Sequence, residues 1–225
     1  QRKLREVTYK EVVVVVLIII ILFHLSPPLL APMLRSLELH FNRRNAASQN
    51  LSPTLVRLIN NNWSLVSLDL SQTLLGDGLG GLLADTISDR IAIADDGPKV
   101  ALRHLSLRNT GLTASCARFG ILLQTRGCPL ISLDLGGNSI GNVGGRRMFG
   151  ALEVNTTLAR LSLDNCGLTK TDYIERSVKG NYTLRSLNLS GNEIGPHGAG
   201  SLSRALKTNT ALHSLAISQC EVGDL

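Results

Sequence analysis

Leu102, Leu105, Leu107 and Leu112 stand in the spacing L-x-x-L-x-L-x-x-x-x-L, and the same frame returns along most of the chain. It recurs upstream at Leu65, Leu68, Leu70 and Leu75, with a weaker copy at Leu34, Leu37 and Leu39. Downstream it recurs at Leu130, Leu133, Leu135 and Ile140, at Leu158, Leu161, Leu163 and Leu168, and at Leu184, Leu187, Leu189 and Ile194. A last copy holds Leu212, Leu215, Ile217 and Val222. First leucines follow one another after 31, 37, 28, 28, 26 and 28 residues. Seven registered copies at such a period mean a stack of like units. The composition agrees: 42 of 225 residues are leucine while only 4% are aromatic, as expected when one small unit is repeated.

Each copy reads as a strand, a turn and a helix. Alternate residues of a strand face opposite sides, so the fourth and sixth frame positions point into the core together. In the helical half, Leu202 and Leu206 lie one turn apart on one face, and Met148 and Leu152 hold the same offsets. A unit of this size cannot bury enough apolar surface to fold alone, so the copies must stack. The 37-residue copy has surplus length, expected as a surface loop at Ala94–Lys99. The ninth frame position holds Asn42, Thr73, Thr110, Asn138, Cys166, Asn192 and Cys220. The chain leaves the strand there, and a small hydrogen-bonding side chain can satisfy backbone groups that lack a ladder partner. Cys166 and Cys220 therefore read as buried weak donors, not reactive thiols. With Cys116 and Cys128 they make four cysteines without a CxxC pair, too few for a disulfide scaffold of this length.

Over residues 34–225, most specifically in LISLDLGGNSIG and LRSLNLSGNEIG, the pattern resembles the long leucine-rich repeats of the ribonuclease-inhibitor type. Such repeats are also found in NOD-like receptors and in the Ran GTPase-activating protein. The resemblance implies a curved α/β solenoid of about seven repeats, with an inner parallel β-sheet and outer helices. It also implies a protein–protein interaction scaffold without catalysis of its own. A small-GTPase regulator like the Ran-activating family is the alternative from another class, but the arginine that family requires maps onto no residue here.

Motifs with chemical potential are few. Gly76, Gly78 and Gly81 spell G-x-G-x-x-G between a strand and a helix, with Asp95 and Asp96 about twenty residues on. That is the outline of a dinucleotide site. Glycine recurs at the same turn as Gly141 with Gly144 and as Gly195 with Gly198, however, so repeat geometry accounts for it better. The two aspartates also precede the next strand instead of ending it. His24, His40, His104, His197 and His213 share no metal-ligand spacing. The sequence therefore predicts no catalytic residue, no cofactor and no metal. Sequons begin at Asn50, Asn62, Asn155, Asn181 and Asn188. Three of these asparagines sit three residues before a first leucine, as Asn209 does without a sequon, which points to repeat structure and not to secretion.

The third, fifth and seventh positions should face the open, concave side. There the sequence offers Glu38, Asp69, His104, Arg108, Asp134, Arg160, Asp164 and Asn188 among serines. Crowded inner strands favour such short polar side chains in any case. The sharper expectation is a docking face for another protein, a basic one, with Glu38, Asp69, Asp134 and Asp164 steering its approach. Nucleic acid is disfavoured because the basic residues are scattered, without basic–aromatic alternation.

The net charge of +6 divides unevenly. Residues 1–44 hold seven Lys/Arg and three Asp/Glu, and residues 45–225 hold sixteen and fourteen. The N-terminal excess flanks Val12–Phe23, twelve unbroken apolar residues. Residues 1–33 are therefore set apart as a hydrophobic segment, and residues 34–225 as repeats truncated at the C-terminus. Three readings of the segment stay open: a membrane anchor, which would make the chain a tethered receptor or sensor; a buried cap or an artefact of where the sequence starts; and a signal peptide. The repeat domain itself is expected in the cytoplasm, or at a membrane if the segment anchors it. Oligomeric state is not legible.

Overall fold

The computed structural model describes residues 35–39, 55–57, 59–60, 62, 64–93 and 100–223. The segment 1–33 with Val12–Phe23, the residues His40, Asn42 and Asn50, and the stretch Ala94–Lys99 lie outside the described residues.

Seven strands of three residues each make one open sheet. They are β1 (Ser36–Glu38), β2 (Ser67–Asp69), β3 (His104–Ser106), β4 (Ser132–Asp134), β5 (Arg160–Ser162), β6 (Ser186–Asn188) and β7 (Ser214–Ala216). Their order in the sheet is their order in the chain, and all pairs are parallel. Registration is by frame position: Leu37, Leu68, Leu105, Leu133, Leu161, Leu187 and Leu215 form a single row across it. This is the leucine-rich-repeat solenoid architecture expected from the frame.

Parallel strands need a crossover, and helices supply it. They are α1 (Gly76–Ile93), α2 (Cys116–Gln124), α3 (Gly141–Leu152), α4 (Ile174–Gly180) and α5 (Gly195–Leu206). Gly76, Gly141 and Gly195 enter α1, α3 and α5 at φ of +63°, +61° and +63°, a left-handed turn that side chains disfavour. The surplus of the 37-residue copy goes partly into helix: α1 has 18 residues where α3 and α5 have 12. The added turns are held by Arg90, which is buried and donates to the Asn62 carbonyl at 3.3 Å, and by Ile91, which packs against the core.

The core runs unbroken from Leu39 to Cys220. Frame leucines fill it from the sheet side; Phe119, Met148, Phe149 and Leu152 fill it from the helices. One helix expectation needs correction. Leu202 is buried as its offset implied, but Leu206 is 38% exposed. Leu152, at the same offset, is covered because α4 and its repeat pack beyond α3, whereas no described helix packs beyond α5. Among the described residues, no helix is long and apolar enough to cross a membrane.

Candidate functional site

Two ladders of buried amides join the repeats, and they explain most of the polar positions that recur. At the ninth frame position, the Asn138 amide nitrogen donates to the carbonyls of Leu107 and Leu135, each at 2.8 Å. Its oxygen accepts from the N–H groups of Thr110 (3.0 Å) and Leu112 (3.1 Å). Asn192 repeats this two repeats further on, donating to Leu163 and Leu189 and accepting from Cys166 and Leu168. Cys166, in the repeat between these asparagines, and Cys220, in the repeat after Asn192, donate their thiols to the Leu135 and Leu189 carbonyls at 3.4 and 3.2 Å. All four cysteines are free and buried. Burial pushes the Cys116 and Cys166 thiols up to about 12, so neither is an available nucleophile at neutral pH.

The second ladder is built from the asparagines three residues before the first leucines, with and without a sequon. Asn155 donates to Leu123, Asn181 to Leu152 and Asn209 to Val178, each carbonyl lying in the preceding repeat at 2.7 Å. Each side-chain oxygen accepts from N–H groups two and three residues ahead. Asn62, Asn155 and Asn181 are buried, and the amide of Asn188 donates to Asp164 and Ser162. A glycan needs the same nitrogen that these bonds occupy, and repeat structure is the better account of the sequons.

At the glycine-rich turn, the phosphate position of a dinucleotide site holds a carboxylate instead. Asp77, in the first turn of α1, accepts from the backbone N–H of Thr113 (2.7 Å) and Ser115 (3.0 Å) and from both hydroxyls. Burial works against its charge, but the bonds from Ser115 and Thr113 outweigh it and hold the carboxyl well below its usual range. Asn142 does the same work at α3, accepting from Thr169 and Lys170. The turn stitches one repeat to the next.

On the outer side, arginines bridge repeats. Arg118 pairs with Asp85, Arg146 with Asp172 (3.0 Å), Arg176 with Glu153 (3.1 Å) and Arg204 with Glu175 (2.8 Å). Such exposed pairs contribute little each. Among the described residues, no group of three or more His, Cys, Asp or Glu is placed to hold a metal.

The open face of the sheet carries the candidate residues. Cross-strand register aligns Glu38, Asp69, Ser106, Asp134, Ser162, Asn188 and Ala216 in one row. His104 and Arg160 lie in a second row, two residues nearer the strand starts. Arg108 and Asp164 lie beyond the strand ends and meet each other. The guanidinium of Arg108 spans from β3 past β4 to grip Asp164 through two bonds of 2.7 and 2.5 Å. It passes over Gly136, where any Cβ would collide with both partners. Arg108 also lies 3.7 Å from Asp134. The Arg108 bond, with further ones from Ser162 and Asn165, outweighs burial and holds Asp164 down to about 2. Asp134 moves the other way: burial raises it, against the Gly136 N–H and Arg108.

Two features of this face were hidden in the sequence. One is that Asp164 is neutralised and buried, which removes it from the set of free steering charges. The other is that the fifth-position side chains serve the backbone. Asp69, Asp134 and Asn188 accept from the N–H of Ser71, Gly136 and Ser190, two residues ahead, at 2.8, 2.8 and 3.1 Å. The spacing D-x-S or D-x-G at a strand end is the signal that could have found it.

This geometry defines a leucine-rich-repeat solenoid, and comparison with known proteins finds likeness to ribonuclease-inhibitor-type repeats. The "Leucine Rich repeat" family model matches residues 128–148 and 180–203. The chain is 38% identical over 130 residues to NACHT, LRR and PYD domains-containing protein 5 of Bos taurus, covering 56% of this chain and 12% of that protein. It is 31% identical over 144 residues to NACHT, LRR and PYD domains-containing protein 3 of Rattus norvegicus, covering 63% and 13%. It is 28% identical over 177 residues to the ribonuclease inhibitor of Sus scrofa, covering 77% and 37%. The chain thus spans a small part of the first two relatives. Among solved structures, it is similar to the leiomodin-1 actin-binding site 2 (TM-score 0.40, 17% identity, 84% of this chain and 87% of that one). An internalin of Listeria monocytogenes is also similar (TM-score 0.43, 16% identity, 84% and 56%).

Proposed function

We propose that this chain is a scaffold that binds another protein on the open face of its sheet. The observation that carries the reading is the division of polar groups in the molecule. Amide ladders and Asp77 tie up the recurring polar side chains inside the stack, and four arginines on the outer side are paired with acids. The open face keeps a row of polar and charged groups turned to solvent, on a sheet whose register fixes their positions. A rigid scaffold of this kind presents a preorganised surface to a partner. The named target of the porcine relative, a ribonuclease, is itself a protein, and this supports a protein partner here. Four free cysteines, together with sequon asparagines whose amides are internally bonded, fit a reducing compartment and support a cytoplasmic repeat domain.

The test is site-specific photo-crosslinking in cell extract. A photoreactive residue replacing Ser132, on the open face, should capture a discrete protein, and one replacing Arg147, exposed on α3, should not. Capture from Arg147 alone would refute the reading.

A further inference from the structure

The open face, together with the edge where its strands begin, is charged in two bands, and the bands differ in sign. At the strand starts stand Arg35, Arg103, His104, Arg160, Arg185 and His213, with no carboxylate in those rows. Two to three residues further along the strands stand Glu38, Asp69 and Asp134. Of the other charges on the face, Arg108 pairs with Asp164 and also lies 3.7 Å from Asp134. Among the described residues, Arg103 and Arg160 are exposed and make no ion pair, unlike the four bridging arginines of the outer side. Glu38 and Asp69 likewise have no cationic partner.

We infer that the docking element is an α-helix of a partner protein lying across the strands, acidic on the flank above Arg103 and Arg160 and basic on the flank above Asp69 and Asp134. This rests on the open face being the binding surface. The spacing argues for a helix. Neighbouring strands are about 4.8 Å apart, so Asp69 and Asp134, two strands apart, are separated by roughly 10 Å, as are Arg103 and Arg160. Two turns of helix span about 10.8 Å, so side chains two turns apart on each flank meet both members of a band. The bands themselves lie roughly 7–10 Å apart along the strands, which is about the width of a helix. An extended peptide crossing the strands would present one line of side chains on that face and engage one band only. A purely basic partner would meet the arginine band with like charge.

The test uses the full chain and a synthetic alanine-based helical peptide, with glutamates two turns apart on one flank and lysines two turns apart on the other. Affinity is read by fluorescence anisotropy at low salt, with thermal melts confirming that each variant is folded. The striped peptide should bind about tenfold more tightly than a peptide of the same residues scrambled. Arg103→Glu with Arg160→Glu should lose about tenfold, and exchanging the peptide's glutamates for lysines should restore the affinity of that variant. Asp69→Asn with Asp134→Asn should lose a similar factor while keeping the backbone bonds to Ser71 and Gly136. An all-lysine peptide that binds the wild type as tightly, with the arginine variant unchanged, would overturn the two-band inference and leave a basic partner on the same face. Equal loss in Arg147→Glu, on the helix side, would overturn the open-face reading itself.

Discussion

Replacing Asn192 by alanine should cost far more stability than replacing Cys166, although both are ninth-position residues buried at the same kind of turn. Asn192 donates at 2.8 and 2.7 Å to Leu163 and Leu189, and accepts at 3.0 Å from both Cys166 and Leu168. Truncation leaves two buried N–H groups and two carbonyls without that partner. An orphaned buried donor costs roughly 1–3 kcal/mol, so the two donors alone place the loss at about 4 kcal/mol. The thiol of Cys166 makes two weak bonds of 3.4 Å to the carbonyls of Leu135 and Asp164, and its removal should cost about 1 kcal/mol.

With a urea m-value of about 2 kcal/mol/M, these losses shift the midpoint by about 2 M and about 0.5 M, readable by circular dichroism. Asn138→Ala should match Asn192→Ala, because its four bonds have the same pattern. Asn192→Asp keeps the acceptor but turns a carboxylate on two carbonyls, and at neutral pH should cost at least as much as alanine. Because repeats couple to their neighbours, hydrogen exchange in Asn192→Ala should accelerate first at the amides of Cys166 and Leu168. Equal midpoint losses for Asn192→Ala and Cys166→Ala would refute the reasoning.

Three further outcomes follow from the same geometry. Asp164 has its folded pKa depressed to about 2, so the stability it adds is complete above about pH 4 and is lost as pH falls through about 2; the urea midpoints of wild type and Asp164→Asn should converge over that window. An Ellman's titration at pH near 8 should release nothing from the native chain and count four thiols in urea, because burial holds Cys116 and Cys166 near 12 and raises Cys128; rapid native reaction would contradict the burial. Expressed through a secretory route, the chain should show no glycan at Asn155 or Asn181 by peptide mass mapping, and occupancy at either would mean that its amide is not held by Leu123 or Leu152.

The fold was legible because the leucine frame is a packing rule, and one register satisfies all copies together. The ninth-position residues were legible for a related reason: a turn with orphaned backbone groups needs a small donor or acceptor wherever it recurs. What escaped the sequence is contact between repeats that do not match. Arg108 and Asp164 are 56 residues apart and occupy seventh positions in alternate repeats. Nothing in either residue says they meet; that depends on Gly136 leaving the space between them empty. The frame also left open how much of the second repeat's surplus length goes into helix. Ala94–Lys99, expected as the loop, lie outside the described residues, while α1 runs on to Ile93, six residues longer than α3 or α5. Leu206 shows the limit of offset reasoning, since equivalent positions bury equally only where equivalent neighbours cover them.

The rows of the open face separate what folding requires from what it leaves free. At the fifth position Asp69, Asp134 and Asn188 accept from the N–H two residues ahead, while Ala216 holds the same place in the sheet without an acceptor. Asn188 makes this bond without charge, so the negative charge at Asp69 and Asp134 exceeds what the turn demands. At Asp134 the charge is also unfavourable to hold, since burial raises its pKa. Arg160 is surplus in the same sense: its frame-equivalents Ser67, Ser132, Ser186 and Ser214 are serines, in strands that pair in the same register. Charges that the stack does not use, set in two rows of opposite sign on its most regular surface, are the positions where a partner would be told apart from its competitors.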